Sequence, residues 1–123
     1  KLVPEMKRLG LSILMTACYH SKQYITADAI EADYIAPYFG RMEEAGLDAY
    51  DHMSLMKDLE RHSTNRCKIL VASIRSVEQM MTLAAQGHLY FTISPAIADE
   101  LLSAELTVKA VSEFDEAAAK VEV

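Results

Sequence analysis

The sequence predicts an α/β protein built around a parallel β-sheet. Four short apolar runs occupy residues 11–18, 34–39, 69–74 and 89–93, and none alternates strictly between apolar and polar residues. Such runs are typical of strands that are covered on both faces, as in a parallel sheet. The segments between the runs carry helical patterns, and strands that alternate with helices pair in parallel.

The first two helices are predicted from a cap and from periodicity. Residues 21–32 are expected to form a helix with Ser21 at its N-cap, because serine side chains accept hydrogen bonds from the free amides of a first turn. Residues 48–62 carry apolar side chains along one helical face, which predicts a helix packed on one side. Both predicted helices lie between apolar runs, as the alternating order requires.

The later helices have clearer boundaries. Ser76 and Gln79 have the spacing of a capping box, in which each side chain bonds the other residue's backbone amide. Gly87 suits the end of that helix. A proline at position 95 opens a short helix over 95–103, and residues 105–121 form a longer amphipathic one.

The composition excludes several classes of protein. The 123 residues are enough for one hydrophobic core. Twelve Lys and Arg against 18 Asp and Glu give a net charge of −6, whereas nucleic-acid binding depends on positive charge. No apolar run approaches the ~20 residues that cross a bilayer. Cys18 and Cys67 do not have the spacing of a disulfide framework or of metal ligands, so we expect a cytoplasmic protein without a metal. The charge and the short apolar runs add the expectation that it has no nucleic-acid partner and no membrane partner.

Two architectures fit the pattern. One is a small doubly wound sheet and the other is part of a (β/α)8 barrel, because four βα units are too few to close eight strands. The chain opens at Lys1 without a signal-peptide pattern, and we expect it to be a partial chain. The phosphate-binding motifs GxGxxG and GxxxxGK[ST] and the nucleophile motif GxSxG are not present.

In both architectures ligands bind beyond the carboxyl ends of the strands. Arg41, Ser73 and Arg75 follow the second and third apolar runs. The planar guanidinium groups of two arginines suit a phosphate, so these residues predict a small anion site. The alternative is that the arginines are solvated surface charges and that Ser73 only satisfies a backbone group.

Two hydroxyl groups at the same ends are candidates for proton transfer. Thr16 and Tyr38 could orient a water molecule or move a proton, while Tyr38 beside Pro37 could equally be a packing residue. His20 is a possible base, although a single histidine in such a loop is more often a surface residue. From the residues alone, the prediction is a parallel α/β domain with a small anionic ligand.

Four segments resemble successive βα units of the transaldolase family. They are TACYHSKQ at 16–23, DYIAPYFGR at 33–41, ILVASIR at 69–75, and FTISP at 91–95 followed by a pair of leucines. Within that family they are most similar to the small fructose-6-phosphate aldolases and transaldolase-like proteins. The segments occur in the family's order and at its spacing over nearly the whole chain.

The resemblance implies a (β/α)8 TIM barrel of the class I aldolase type. Residues 1–123 would be the carboxyl-terminal half of that single barrel domain, with strands five to eight. The family forms a Schiff base between a lysine and a ketose, which splits or forms the C3–C4 bond with a dihydroxyacetone unit as donor. It uses no metal and no cofactor.

The resemblance also assigns roles to the strand-end residues. Arg41 corresponds to the family's phosphate-binding arginine, and Ser73 with Arg75 corresponds to the rest of that site. Thr16 corresponds to a threonine that helps to hold the catalytic water. Tyr38 corresponds to a tyrosine that transfers protons through this water in the aldolase branch, where transaldolases usually have phenylalanine.

The Schiff-base lysine of the family has no counterpart in this chain. It ends the fourth strand, which would precede Lys1, and residues 1–10 resemble the end of the fourth helix. Lys68 lies at the amino end of its predicted strand, the opposite end from a barrel's active site. The remaining candidates fall on predicted helices: Lys22, Lys57, Lys109 and Lys120.

The resemblance leaves the activity open between two branches. Leu14, Ala36 and Tyr38 are similar to the aldolases, whereas residues 40–41 and Arg75 are similar to the transaldolases that pass dihydroxyacetone between sugar phosphates. A non-catalytic half-barrel that binds a phosphorylated metabolite is a further alternative. The expected partners are a sugar phosphate and other copies of the chain, in a ring formed through the carboxyl-terminal helix.

Overall fold

A computed structural model describes residues 1–121 and has the predicted alternation of strands and helices. The strands are β1 (Leu14–Cys18), β2 (Tyr34–Pro37), β3 (Lys68–Val71) and β4 (Tyr90–Phe91). The helices are α1 (Val3–Arg8), α2 (Lys22–Ala29), α3 (Phe39–Glu44), α4 (Ala49–Arg61), α5 (Val77–Ala85), α6 (Pro95–Leu102) and α7 (Glu105–Ala119).

The four strands form one sheet in the order β1-β2-β3-β4, and every neighbouring pair is parallel. Leu14 is opposite Tyr34, and Tyr34 is opposite Lys68. The predicted parallel α/β sheet is therefore confirmed. The register of β1 and β2 shifts before Cys18, where Ala17 has a positive φ of 55°.

One face of the sheet forms the core. Ile35, Ile69 and Val71 alternate onto this face and are buried. They share the core with fully buried side chains from helices α4 and α5, among them Met53 and Leu83. Helices α2 and α4 contact strands β2 and β3, so the helices that connect the strands also cover the sheet.

The opposite face is exposed in the described residues, so the cover that the sequence pattern predicts on both sides of the strands is not supplied on this face by residues 1–121. Leu14 of β1 and Tyr90 of β4 are 44% and 40% exposed. The Tyr34 and Tyr90 rings meet edge to face at 6.0 Å, and the Lys68 ammonium lies 5.5 and 5.7 Å from their centroids. In β2 the consecutive residues Ile35, Ala36 and Pro37 are all buried, so side chains of both faces of this strand are buried.

The helices begin and end close to the residues predicted from the sequence, whereas the predicted hydrogen bonds of the N-caps form only in part. Ser76 caps α5 as predicted, by accepting the Gln79 N–H at 3.1 Å. The reciprocal bond differs, because the Gln79 side chain accepts from Arg75 N–H at 2.8 Å. Ser21 is at the predicted N-cap position of α2, but its side chain makes no capping bond, because its backbone is already helical and its hydroxyl lies 3.1 Å from His52 Nδ1.

The described residues divide into two compact units, one of residues Lys1–Ile93 and one that begins at Ser94. The first contains the sheet, and the second contains α6 and α7. Helix α7 buries none of its side chains and exposes Leu106, Val108, Val111 and Phe114. Within residues 1–121, no helix has the length and apolarity to span a membrane.

Candidate functional site

Three strand ends are tied together by backbone hydrogen bonds. Tyr38 N–H donates to the Cys18 carbonyl at 2.9 Å, which joins the ends of β2 and β1. Phe39 N–H donates to the Ala72 carbonyl at 2.9 Å, which joins the start of α3 to the end of β3. Side chains that follow different strands are consequently held at one edge of the sheet, as expected for parallel strands.

Four of the five predicted site residues line one cavity at this edge. Tyr38, Arg41, Ser73 and Arg75 surround a space of about 220 Å³ together with Ala72. The two arginines come from α3 and from the loop before α5, so the topology brings together groups that are 34 positions apart in the chain. Two guanidinium groups and two hydroxyls give the cavity the donor set of a phosphate site.

The close contact of α3 with the β3 loop depends on Gly40, which the sequence analysis did not select. Gly40 N–H donates to the Ser73 carbonyl at 2.8 Å. A Cβ atom at position 40 would overlap that carbonyl oxygen and would lie 2.8 Å from Arg75 Cγ. A glycine directly before a candidate arginine was the available signal, because glycine permits close backbone approach.

Ser73 has the most constrained backbone of the site. Its φ of 63° is in the left-handed region, which is unfavourable for residues other than glycine. Its Oγ accepts the Arg41 backbone N–H at 3.2 Å. The hydroxyl proton remains able to donate to a bound anion. Strained residues of this kind are concentrated at binding and active sites.

Arg41 is exposed and is held by aromatic groups. Its guanidinium carbon lies 5.1 Å from the Tyr38 ring centroid, within the range of a cation–π interaction. Among residues 1–121 it makes no ion pair within 4 Å. The neighbouring Tyr19 hydroxyl is the main cause that raises the pKa of Arg41, so the group stays fully charged and available to an anion.

Arg75 is already engaged on one side. Its Nε donates to Glu44 at 3.0 Å in an ion pair whose side chains are 52% and 59% exposed. Exposed pairs of this type contribute about 0.2–1 kcal/mol, so the bond is weak enough to yield to a phosphate. Gln79 binds the Arg75 backbone and also donates to Glu43 at 2.7 Å, which fixes the loop.

Thr16 is the predicted residue that the structure does not bring into this cavity. It is exposed on β1 and lines a separate cavity of about 230 Å³ with Gln23, Thr26 and other residues of β1, β2 and α2. Tyr38, by contrast, is half-buried beside the anion cavity. The water shared by Thr16 and Tyr38 stays a prediction.

His20, the possible base, is occupied by local contacts. Its Nδ1 accepts the Lys22 N–H at 3.1 Å, and its ring lies 4.2 Å from the His52 ring. Desolvation, with smaller effects of His52 and Lys22, lowers the pKa of His20. The lowered pKa favours the neutral imidazole, whose Nδ1 bonds the first residue of α2.

The lysines lie where the sequence analysis expected them. Lys68 is the first residue of β3, at the amino end of the sheet. The other four are at the start of α2, within α4 and α7, and directly after α7: Lys22, Lys57, Lys109 and Lys120. None of these five is the last residue of a strand, which is the place of the family's Schiff-base lysine, and Lys22 lies in α2, four residues after β1.

A larger cavity lies at the opposite, amino end of the strands. It has a volume of about 730 Å³ and is lined by Lys7, Asp33, Tyr34, Arg66 and Lys68, among others. Lys7 donates to Asp33 at 3.1 Å, so charges here already pair within the chain. Its size does not make it the better candidate, because parallel α/β proteins bind ligands at the carboxyl ends. Within residues 1–121, no group of three His, Cys, Asp or Glu side chains could hold a metal.

Comparison with known families identifies the chain. The sequence model described as transaldolase/fructose-6-phosphate aldolase matches residues 1–123. The chain belongs to this family. The resemblance of the four strand-end segments is thereby confirmed at the family level.

Individual relatives in the family point the same way. The chain is 29% identical over 105 residues to a probable transaldolase of Bartonella henselae and 32% identical over 108 residues to one of Caulobacter sp.. A probable transaldolase of Paracoccus denitrificans is 28% identical over 106 residues. These matches cover 85–86% of this chain and 48–49% of the relatives. The chain therefore spans about half the length of the curated relatives it matches.

Proposed function

We propose that the chain is part of a Schiff-base aldolase that acts on a sugar phosphate, in the manner of fructose-6-phosphate aldolases. The observation that carries this proposal is the single cavity shared by Tyr38, Arg41, Ser73 and Arg75 in a chain of this family. A phosphate-binding donor set and a phenol stand side by side there. An aldolase needs both, one to hold the substrate and one to move protons.

The proposed architecture is the carboxyl-terminal half of one (β/α)8 barrel domain, residues 1–123. The exposed face of the sheet supports it, because inward-facing side chains of a barrel require the other strands to cover them. A doubly wound sheet carries helices on both faces, whereas Leu14 and Tyr90 are exposed. The length of the relatives, about twice that of this chain, agrees with a half-barrel.

The proposed phosphate site uses two arginines with different roles. Arg41 presents an unpaired guanidinium from α3, and the Ser73 hydroxyl lies beside its backbone. Arg75 would exchange its exposed bond to Glu44 for a bond to the phosphate. Charge-assisted bonds to phosphate are stronger than bonds between neutral groups, and this difference favours the exchange.

In the proposed chemistry, a lysine from a part of the protein outside these 123 residues attacks the ketose carbonyl. The resulting iminium accepts the electron pair when the C3–C4 bond breaks, and the C4 hydroxyl gives up its proton. Tyr38, with a water held by Thr16, would take this proton and later protonate the carbanion that remains on the lysine. The protein would need no metal and no cofactor for these steps.

A transaldolase is the second candidate function. It is favoured by the names of the relatives, which are probable transaldolases. In that reaction the carbanion attacks an acceptor sugar phosphate instead of being protonated. The phosphate site would serve both reactions, and the Tyr38 hydroxyl would favour protonation and hence the aldolase.

Two further properties are proposed with the function. A cytoplasmic location is supported by Cys18 and Cys67, which are buried and not joined in a disulfide.

A ring-shaped homo-oligomer is supported by the exposed apolar side chains of α7, including Phe114 at 71% exposure. Sedimentation of the full-length protein with Phe114→Glu tests this contact, with dissociation as the expected result.

Borohydride reduction tests the proposed chemistry. The full-length protein is incubated with fructose 6-phosphate, reduced and weighed by mass spectrometry, with a sample reduced without sugar as control. A Schiff-base enzyme gains the mass of a reduced dihydroxyacetone adduct, on a lysine outside these 123 residues. A protein that only binds phosphorylated metabolites gains no mass, and that result would reject the aldolase and the transaldolase together.

A further inference from the structure

Tyr19 lies next to the anion cavity on a well-fixed loop between β1 and α2. Its backbone N–H donates to Gln23 Oε1 at 2.8 Å, and the N–H of His20 donates to the same oxygen at 3.0 Å. The preceding residue, Cys18, accepts the Tyr38 N–H at 2.9 Å. The position of the Tyr19 side chain is therefore set by the ends of two strands.

The Tyr19 side chain packs on Tyr38, the ring over which Arg41 lies at the cavity. Its ring meets the Tyr38 ring edge to face, with centroids 5.8 Å apart and an interplanar angle of 67°. The Arg41 guanidinium lies over the same Tyr38 ring. The nearby Tyr19 hydroxyl is the main cause that raises the pKa of Arg41, which agrees with both side chains lying against the Tyr38 ring. The three side chains form one contiguous cluster.

The chemistry of this cluster differs from that around the other arginine. Arg75 is held by a carboxylate, Glu44, which must be displaced before all its donors can face an anion. Arg41 lies over the aromatic face of Tyr38, against which the Tyr19 ring also packs, and an aromatic face orients a cation without neutralising it. Glu44 acts on Arg41 only from a distance, because no carboxylate among residues 1–121 lies within 4 Å of this guanidinium. The charge of Arg41 is therefore available to a phosphate without the displacement of an ion pair.

We propose that Tyr19 is a positioning residue that orients the Arg41 guanidinium toward the substrate phosphate. This inference rests on the proposed function for the identity of the phosphorylated substrate. Tyr19 contributes through Arg41 and does not take part in proton transfer. Removal of its hydroxyl therefore weakens phosphate binding and leaves the chemical steps unchanged.

The test is Tyr19→Phe in the full-length protein, because phenylalanine keeps the ring that packs on Tyr38. The dissociation constant of inorganic phosphate is measured by calorimetry, and KM and kcat are measured for addition of dihydroxyacetone to glyceraldehyde 3-phosphate and to glyceraldehyde. We expect the phosphate dissociation constant and the KM for the phosphorylated aldehyde to rise about 2- to 12-fold, as for one neutral hydrogen bond. The value of kcat and the reaction of glyceraldehyde should stay the same.

Tyr50→Phe is the matched control. Tyr50 packs on Phe39 with ring centroids 4.7 Å apart, and its hydroxyl is not among the groups that act on Arg41. The Tyr50→Phe variant loses a phenol hydroxyl close to α3 and should leave phosphate binding unchanged. The double variant with Arg41→Ala is the second control, since Tyr19→Phe should have no additional effect once the guanidinium is gone.

The outcomes separate this inference from the proposed function. Unchanged phosphate binding in Tyr19→Phe would overturn the role of Tyr19, as would an equal loss of activity with both aldehydes. An additional loss in the Arg41→Ala background would also overturn it, because Tyr19 would then act elsewhere. A wild-type protein without aldol activity whose phosphate binding still weakens in Tyr19→Phe would reject the proposed function and retain the positioning role.

Discussion

Replacement of Gly40 by alanine is the sharpest perturbation of the site geometry. The added Cβ would overlap the Ser73 carbonyl oxygen and would approach Arg75 Cγ to 2.8 Å. The first of these atoms belongs to the backbone, so it cannot rotate away as a flexible side chain would. Overpacking of this kind costs about 1–3 kcal/mol. The end of β3 must also shift, which separates Ser73 from Arg41.

The direction of the stability change in Gly40→Ala is informative, because helix propensity alone predicts that alanine stabilises the protein. Gly40 lies in α3 with an ordinary negative φ, where alanine is favoured over glycine by about 0.5–1 kcal/mol. Stabilisation is therefore expected if only the helix matters. The contact with the Ser73 carbonyl outweighs this preference because that oxygen belongs to the backbone, so we expect a net loss of up to about 2.5 kcal/mol in the free energy of unfolding.

Urea denaturation of the full-length protein measures this loss, and the KM for glyceraldehyde 3-phosphate measures the displaced site. Gly46→Ala is the control. Gly46 has a φ of +76° and nothing within 4 Å of an added Cβ, so alanine there costs about 1 kcal/mol of backbone strain and leaves KM unchanged. The reasoning is refuted if Gly40→Ala is as stable as the wild type and binds the phosphorylated aldehyde equally well.

Three further predictions concern chemistry, binding and pH. Tyr38→Phe should lower fructose 6-phosphate cleavage at least ~100-fold in a coupled assay while transfer to an acceptor aldehyde survives, because only cleavage needs the phenol. Arg41→Ala should raise the KM for glyceraldehyde 3-phosphate about 10- to 100-fold, and more than Arg75→Ala, whose guanidinium is shared with Glu44. Burial lowers the pKa of His88 below its ordinary 6.5, so the unfolded chain takes up the proton first and urea denaturation should show stability falling as the pH drops below 6.5.

Each of these has a clear contrary result. Unchanged cleavage by a folded Tyr38→Phe protein would make Tyr38 a packing residue. Equal losses with phosphorylated and unphosphorylated aldehydes would make Arg41 structural. A stability that is flat between pH 7.5 and 5.5, or unaffected by His88→Gln, would contradict the role of His88, whose ring donates through Nε2 to the Met53 carbonyl at 3.1 Å.

The parallel sheet could be predicted from the sequence because apolar runs and helical segments alternate strictly. The meeting of Arg41, Ser73 and Arg75 followed from the same order, since parallel strands end at one edge. The open face could not be predicted in this way. A residue such as Leu14 is apolar whether its covering strands belong to the same chain or not, so the pattern alone indicates burial on both sides.

Contacts between residues that are distant in the chain also could not be predicted from the sequence pattern. The need for glycine at position 40 arises from the Ser73 carbonyl, 33 positions later in the chain. The Ser21 cap failed for a similar reason, because its hydroxyl is taken by His52 of α4. The N-cap preference of serine depends only on the free backbone amides of its own helix. It does not include the side chains, such as that of His52, that the fold brings beside the serine hydroxyl.

The central claim is that this chain binds the phosphate of a sugar substrate at the carboxyl ends of its strands. Crystals of the full-length protein with fructose 6-phosphate, in which anomalous or difference density locates the phosphate, test it most directly. We expect phosphate oxygens about 2.7–2.9 Å from the guanidinium nitrogens of Arg41 and Arg75, and within hydrogen-bond distance of Ser73 Oγ. A phosphate bound at the amino ends of the strands, beside Arg66 and Lys68, would contradict it.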